Sequence, residues 1–159
     1  MRLTLIAVGR ARVGPSALAL AHLYEDYARQ LAGRPLGPLT LKEVQERRAL
    51  PRAELPAAEA KLIRAHLPKG AVVIALDSRG QQMKSEDFAR RLGQWHDQGR
   101  EAAIVIGGAE GLEPALRDEA DLVLGLGPMT WPHQLVRLLI AEQLFRAQAI
   151  LTGHPYHRD

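Results

Sequence analysis

Two side chains capable of acid–base and anion chemistry stand four residues apart late in the chain. His133 and Arg137 therefore share one face of the helix predicted there. A neutral imidazole can accept a proton and a guanidinium can hold an anion, so the pair can orient a nucleophile or bind a negative group. Pro132 suits the first position of this helix, where the positive end of the helix dipole favours the neutral imidazole. The alternative is that both residues are solvated or cap the helix start.

The C-terminal segment, residues 153–159 (GHPYHRD), combines aromatic, imidazole and guanidinium groups. Such groups stack on nucleic-acid bases and pair with phosphates, which draws attention to Tyr156, His157 and Arg158. A frayed terminus is the default for the last residues of a chain, and we expect this segment to be disordered when no partner is bound.

Three turns follow predicted strands in the second half of the chain, at residues 77–80, 107–111 and 126–133. In parallel α/β sheets, ligands bind at the carboxyl ends of the strands, so we expect these turns to meet at one edge. Their glycines allow the backbone to approach a flat ligand closely. The alternative for the GGAEG turn is a purely steric need of a strand-to-helix connection. Dinucleotide-binding and P-loop glycine spacings are absent, so nucleotide hydrolysis through those motifs is not predicted.

Composition removes several further classes of chemistry. The chain has 159 residues and a net charge of +3. It contains no cysteine, which excludes a disulfide scaffold, a thiolate zinc site and a cysteine nucleophile. No metal-ligand spacing and no hydrolase Gly-x-Ser-x-Gly motif occur. Arg47, Arg48 and Arg52 can touch phosphate or form a solvated face. We expect no membrane segment and no leader, and a cytoplasmic protein without a metal.

Strand and helix patterns alternate along the chain. A short strand pattern carries apolar residues in a row or in alternation, whereas a helix pattern repeats them every three to four residues. This alternation predicts one α/β domain, residues 1–159, with a mostly parallel sheet and helices on both faces. The predicted strands are residues 3–8, 39–44, 71–76, 102–106 and 122–124, and the predicted helices are residues 16–31, 54–67, 85–97 (capped by Ser85), 112–119 and 132–151.

The last predicted helix is apolar on almost every side. A helix of that kind has to be buried on every side, and in a domain with a single sheet its outer side needs another cover. A homodimer interface formed by this helix is the favoured interpretation, and packing between the sheet and loops is the alternative. The apolar positions are Leu135, Val136, Leu138, Leu139, Ile140, Ala141, Leu144, Phe145, Ala147 and Ile150.

Taken together, the motifs resemble the SPOUT-class ribosomal RNA methyltransferases over essentially the full length. Within that class, the chain looks like the small enzymes that methylate N3 of a pseudouridine in large-subunit ribosomal RNA. The segment PHQLVRLLIAEQLFRA followed by a terminal HPYHR is the specific part, whereas GGAEG alone is common. The matching segments are LTLIAVG (3–9), ALDSRG (75–80), IVIGGAEG (104–111), WPHQLVRLLIAEQLFRA (131–147) and HPYHR (154–158).

The resemblance implies a C-terminal trefoil knot within about residues 71–159, which generic folding rules would not suggest. It also implies a homodimer and S-adenosylmethionine bound in the knot. The cofactor-binding positions implied are Leu76, Gly107, Leu126, Gly127, Pro128, Met129, Thr130 and Trp131.

The resemblance also places the target RNA near His133, Arg137 and the tail, where the partner subunit can contribute Tyr156, His157 and Arg158. His133 or His157 would then take the proton of the imide N3–H, and Arg137 or Arg158 would stabilise the resulting anion. The substrate implied is the assembled ribosome. The alternatives are a SPOUT enzyme with a different RNA target, such as transfer RNA, and a ribosome-binding protein of the same fold without catalysis.

Overall fold

A computed structural model of the chain describes residues 1–10 and 13–157. Strands and helices alternate, as the hydrophobic pattern predicts, and a short 3₁₀ turn, Arg52–Glu54, precedes the second helix. The elements are β1 (Leu3–Val8), α1 (Pro15–Leu31), β2 (Leu39–Val44), α2 (Leu55–Arg64), β3 (Val72–Gln81), α3 (Ser85–Asp97), β4 (Ala102–Ile106), α4 (Pro114–Asp118), β5 (Leu122–Leu124) and α5 (His133–Thr152).

The five strands form one sheet in the order β2-β1-β4-β3-β5, and every described pairing is parallel. Central strand β4 is buried at all five positions, which explains its unbroken apolar sequence. One face of the sheet packs on α1, α3 and α5 through residues such as Leu92 and Leu144. The other face packs on α2 and α4 through Ile63 and Leu116. The predicted α/β class, with a parallel sheet covered on both faces, is confirmed.

Strand β3 is longer than predicted, because the expected turn at residues 77–80 is part of the strand. The register against β5 shifts between Leu76 and Gln81, and Gln81 then pairs with Leu124. The backbone N–H of Gly125 donates to the Gln81 carbonyl at 3.0 Å. A Cβ atom at Gly80 would lie 2.6 to 2.8 Å from backbone atoms of residues 123–125, so the two segments cross in direct backbone contact.

Two predicted helix starts are wrong in detail. The Ser85 hydroxyl does not cap α3; it donates instead to Gln143 Oε1 at 2.7 Å and so links α3 to α5. Helix α5 begins at His133, and Pro132 precedes it with an extended backbone. Helix α2 ends at Arg64, before the predicted residue 67, because the chain continues in tight turns toward Pro68.

Helix α5 is buried along one side by Ile140, Ala141 and Leu144. Six other apolar residues of this helix are only partly buried in a single subunit: Leu135, Val136, Leu138, Leu139, Phe145 and Ile150. No helix in the described part of the chain is long and apolar enough to cross a membrane. The C-terminal knot stays a prediction.

Candidate active site

The three sequence-predicted turns meet around one cavity of about 360 Å³ at the carboxyl edge of the sheet. This clustering is the arrangement expected from parallel strands β3, β4 and β5. Of the predicted cofactor-binding positions, only Pro128 is outside the lining. The lining includes Leu76, Gly107, Leu126, Gly127, Met129, Thr130, Trp131 and His133. We call this space the strand-end cavity.

Main-chain contacts shape the strand-end cavity. A Cβ atom at Gly107 would lie 3.0 Å from the Gly111 carbonyl carbon and from Leu112, so the turn after β4 closes tightly on itself. The indole N–H of Trp131 donates to the Leu126 carbonyl at 3.2 Å, which closes the loop after β5. Met129 is 68% exposed at the mouth. Backbone N–H and C=O groups in such turns can recognise the edge of a flat heterocycle.

Asp77 supplies a negative charge at the cavity wall. Its carboxylate accepts hydrogen bonds from the backbone N–H of Arg79 at 2.8 Å and from Arg79 Nε at 3.1 Å. These bonds, together with the Arg117 charge, hold the pKa of Asp77 below its usual range. Asp77 is therefore ionised at neutral pH.

A larger cleft of about 820 Å³ adjoins the strand-end cavity and shares Gly108 and His133 with it. It lies beside the turn after β1, where Gly9 and Gly14 contribute backbone to the lining. Gln134, Arg137 and Glu59 line it from the helices. We call this space the outer cleft. Two neighbouring spaces with one shared wall can hold two reacting molecules side by side.

His133 stands at the junction of the two spaces, at the first residue of α5. Although the residue is solvent-exposed, partial burial of the ring lowers the pKa of His133, and the positive charge of Arg137 lowers it further. The imidazole is therefore neutral at neutral pH and can accept a proton.

Arg137 lies four residues further along the same helix and is buried, with 6% of its surface exposed. Its Nη1 donates to Glu43 Oε1 and its Nη2 donates to the Gly9 carbonyl at 2.8 Å. The Nε atom is buried without a hydrogen-bond partner. The guanidinium therefore links α5 to the ends of β1 and β2. Since Arg137 lines the outer cleft, it also contributes positive charge there.

The described part of the tail, up to residue 157, lines neither space within this subunit. The Tyr156 hydroxyl donates to Glu142 Oε1 at 3.1 Å and lies 3.2 Å from the Tyr27 hydroxyl. Its ring packs edge-on against Phe145, with centroids 4.7 Å apart. The expectation of a disordered tail is thus wrong up to residue 157, because this aromatic contact holds the segment on α1 and α5.

His157 anchors the same segment to α3. Its Nε2 lies 2.8 Å from Glu86 Oε1, and its Nδ1 lies 3.3 Å from Arg146 Nη1. Neither Glu86 nor Arg146 lines the strand-end cavity or the outer cleft. Arg158, the third predicted tail residue, lies outside the described residues.

Sequence reasoning missed the contributions of Gly9 and Glu59 to the site. A signal for Gly9 existed, since it follows strand β1 and the rule that pointed to the other strand ends applies there too. No signal for Glu59 existed, because its position depends on how α2 packs against the sheet. Among the described residues, no group of three potential metal ligands is present.

The family model described as "Predicted SPOUT methyltransferase" matches residues 1–157. The chain therefore belongs to the SPOUT methyltransferase family, whose members take their methyl group from S-adenosylmethionine. It is 55% identical over 159 residues to the ribosomal RNA large subunit methyltransferase H of Rhodospirillum centenum, with 99% of each chain covered. It is 48% identical over 161 residues to the protein of the same name from Paracoccus denitrificans, with 100% of each covered.

A solved structure with similarity to this chain is the SpoU methyltransferase AviRb from Streptomyces viridochromogenes, in complex with its cofactor AdoMet. The match has a TM-score of 0.47 and 14% sequence identity, and it covers 91% of this chain and 57% of that one.

Proposed function

We propose that this protein transfers the methyl group of S-adenosylmethionine to N3 of a pseudouridine in large-subunit ribosomal RNA. The observation that carries the proposal is the pair of adjoining spaces at the strand ends, which share Gly108 and His133. The names of the full-length relatives support the choice of ribosomal RNA as the substrate. The reaction would take place in the cytoplasm, on the assembled ribosome.

The strand-end cavity is the proposed cofactor site. Its volume of about 360 Å³ falls in the range of about 300–1,000 Å³ that is usual for small-ligand pockets. The loop after β5 and the glycines after β4 would surround the adenine with backbone groups, which fits the predicted positions Leu76, Gly107 and 126–131. We place this site within a C-terminal knot in about residues 71–159 of a single SPOUT domain.

The outer cleft is the proposed site of the target nucleotide. A base entering it meets the cofactor at the wall that the two spaces share. His133 stands at that wall in its neutral form and is the proposed acceptor of the N3 proton. Arg137 lies in the same cleft, and its charge favours the anion that remains on the base.

The reaction is an in-line displacement at a sulfonium carbon. The lone pair of the deprotonated N3 forms a bond to the methyl carbon, and the C–S bond breaks with its electron pair on sulfur. The N3 proton goes to the imidazole of His133. Since the thioether leaves readily, the protein mainly has to align nucleophile, methyl carbon and sulfur, and such alignment can supply roughly 7–11 kcal/mol.

A homodimer completes the proposal. The partly buried apolar residues of α5, such as Leu135 and Leu139, would pack against a second copy. The partner subunit could then bring its tail residues Tyr156, His157 and Arg158 to the RNA bound here. Light scattering at micromolar concentration tests this part of the proposal, and a monomeric mass would contradict it.

The decisive experiment is methyl transfer from labelled S-adenosylmethionine to ribosomes from a strain that lacks this gene, followed by nucleoside analysis. Labelled N3-methylpseudouridine in large-subunit RNA is the expected product. Label in transfer RNA, or at another nucleoside, would overturn the target. Absence of any transfer, together with absence of S-adenosylmethionine binding by calorimetry, would favour a binding protein without catalysis.

A further inference from the structure

Glu59 on α2 supports the wall shared by the two spaces, from the side away from the strand-end cavity. If Gly108 carried a Cβ atom, that atom would lie 2.7 Å from Glu59 Oε2 and 2.8 Å from Glu59 Oε1. The carboxylate therefore occupies the space that a side chain at residue 108 would fill. It also lines the outer cleft, together with His133.

Both backbone polar groups of Gly108 have a close neighbour. The carbonyl of Gly108 accepts a bond from the Gly111 N–H at 3.0 Å, which closes the turn. The backbone N–H of Gly108 lies close enough to the Glu59 carboxylate to lower the pKa of that group. Glu59 is thus the side chain of a separate element that fixes the orientation of this peptide.

The surroundings of Glu59 make its carboxylate a strong acceptor. Burial raises its pKa, and the negative charges of Glu110 and Glu46 raise it further, while the nearby Gly108 N–H opposes the shift. Glu110 and Glu46 are themselves paired with Arg52 at 3.0 Å and with Arg48 at 2.9 Å. His133 and Arg137 face the same cleft. Glu59 Oε2 is buried without a hydrogen-bond partner, so this oxygen lies against protein.

We propose that Glu59 is a positioning residue for methyl transfer, which holds the Gly108 peptide so that cofactor and target meet correctly at the shared wall. This inference rests on the proposed function of the two spaces. It assigns a role to α2, a helix that contributes no residue to the described lining of the strand-end cavity.

Calorimetry of S-adenosylmethionine binding tests the proposal in three variants: Glu59→Ala, Glu59→Gln and Glu25→Ala. Glu59→Ala removes the carboxylate that lies against Gly108 and should weaken cofactor binding by about tenfold, the size typical of losing one polar contact to a charged group. Glu59→Gln retains an amide oxygen of the same size at that place and should bind within about threefold of wild type. Glu25 is exposed on α1, so Glu25→Ala controls for the loss of a carboxylate and should bind as wild type does.

Gly108→Ala provides a second test that leaves Glu59 in place. Its new methyl group would push the carboxylate aside, and cofactor binding should weaken as in Glu59→Ala. Since both changes break one contact, the double variant should bind no more weakly than Glu59→Ala alone. This non-additivity distinguishes positioning from a general loss of stability, and Gly108→Ala keeps the test valid if Glu59→Ala does not fold.

The results that overturn the inference are clear. Binding by Glu59→Ala within twofold of wild type, or additive losses in the double variant, would remove Glu59 from the positioning of the turn. Equal weakening in Glu59→Gln and Glu59→Ala would also contradict it, since rescue by the conservative variant is expected. Failure of the proposed function looks different, because the wild-type protein itself would then not bind S-adenosylmethionine.

Discussion

Replacement of Gly80 by alanine should damage both stability and catalysis, because strand β3 crosses the end of β5 at this residue without room for a side chain. A Cβ atom there would lie 2.6 Å from the Leu124 carbonyl carbon and 2.7 Å from the Gly125 nitrogen. Those are main-chain atoms of a segment that is hydrogen-bonded to Gln81. They cannot swing away as the end of a flexible side chain can.

The size of the effect follows from the overlap. The closest approach is about 0.8 Å short of the 3.4 Å at which ordinary contact begins. Overpacking of this kind costs about 1–3 kcal/mol, and we expect the upper end because backbone has to move. At about 2–4 °C per kcal/mol for a chain of this size, the unfolding midpoint should fall by about 6–12 °C. The same shift would displace residues 126–131, and a misplacement near 1 Å can reduce the methyl-transfer rate on the order of 100-fold.

Thermal unfolding and single-turnover methylation measure the two effects, and Gly93→Ala is the matched control. Gly93 lies inside α3, and its Cβ atom would meet only the Leu151 side chain, at 3.0 Å. Leu151 is 44% exposed and can move. Alanine in a helix interior should stabilise by about 0.5–1 kcal/mol, so Gly93→Ala should unfold at or above the wild-type midpoint. If Gly80→Ala unfolds at the wild-type midpoint and methylates at the wild-type rate, the argument from the crossing is wrong.

Four further predictions concern the cleft and the tail. The usual pKa of a histidine is near 6.5, and the pKa of His133 is held below it. The methylation rate should therefore fall with acidification only below about pH 6.5. The residual rate of His133→Gln should lack this decline, and a pH–rate profile of the variant that kept it would contradict the assignment. The unfolded chain takes up the His133 proton at a higher pH than the folded chain does, so this group lowers the free energy of unfolding as the pH falls below about 6.5. Between pH 7 and pH 5, His133→Gln should therefore lose less resistance to urea than wild type loses. Arg137→Leu deprives Glu43 and the Gly9 carbonyl of their guanidinium contacts and should cost about 2 kcal/mol in urea unfolding, less than for a fully buried pair because Glu43 reaches solvent; an unchanged midpoint would show that these contacts contribute nothing. His157→Ala should reduce methylation of ribosomes while calorimetry shows nearly unchanged S-adenosylmethionine binding, and full activity would exclude this residue from the mechanism.

The sheet could be predicted from the sequence because burial on both faces leaves a local signature. Residues 102–106 are apolar without interruption, and they form the fully buried central strand β4. The rule for parallel strand ends then placed the three turns together before any contact was known. Local patterns were sufficient wherever an element's environment was the same along its whole length.

The remainder depends on contacts between distant parts of the chain. Residues 77–80 look like a turn in the sequence, but they continue β3 because Gln81 pairs with Leu124 more than forty residues later. The docking of Tyr156 required Tyr27 and Phe145 to meet on neighbouring helices. Glu59 could not be assigned to the site until α2 was placed beside Gly108. Periodicity carries no information on such pairings.

The crossing of Gly80 and Gly125 also bears on how the strand-end cavity could change during evolution. Where the two segments cross, peptide groups are held against other peptide groups. Exchange of a loop side chain other than Trp131, whose indole bonds to the Leu126 carbonyl, leaves those groups in place, so the outline can be inherited while the loop's other amino acids change. An inhibitor that bound mainly to these peptide groups would leave an organism few single substitutions through which resistance could arise.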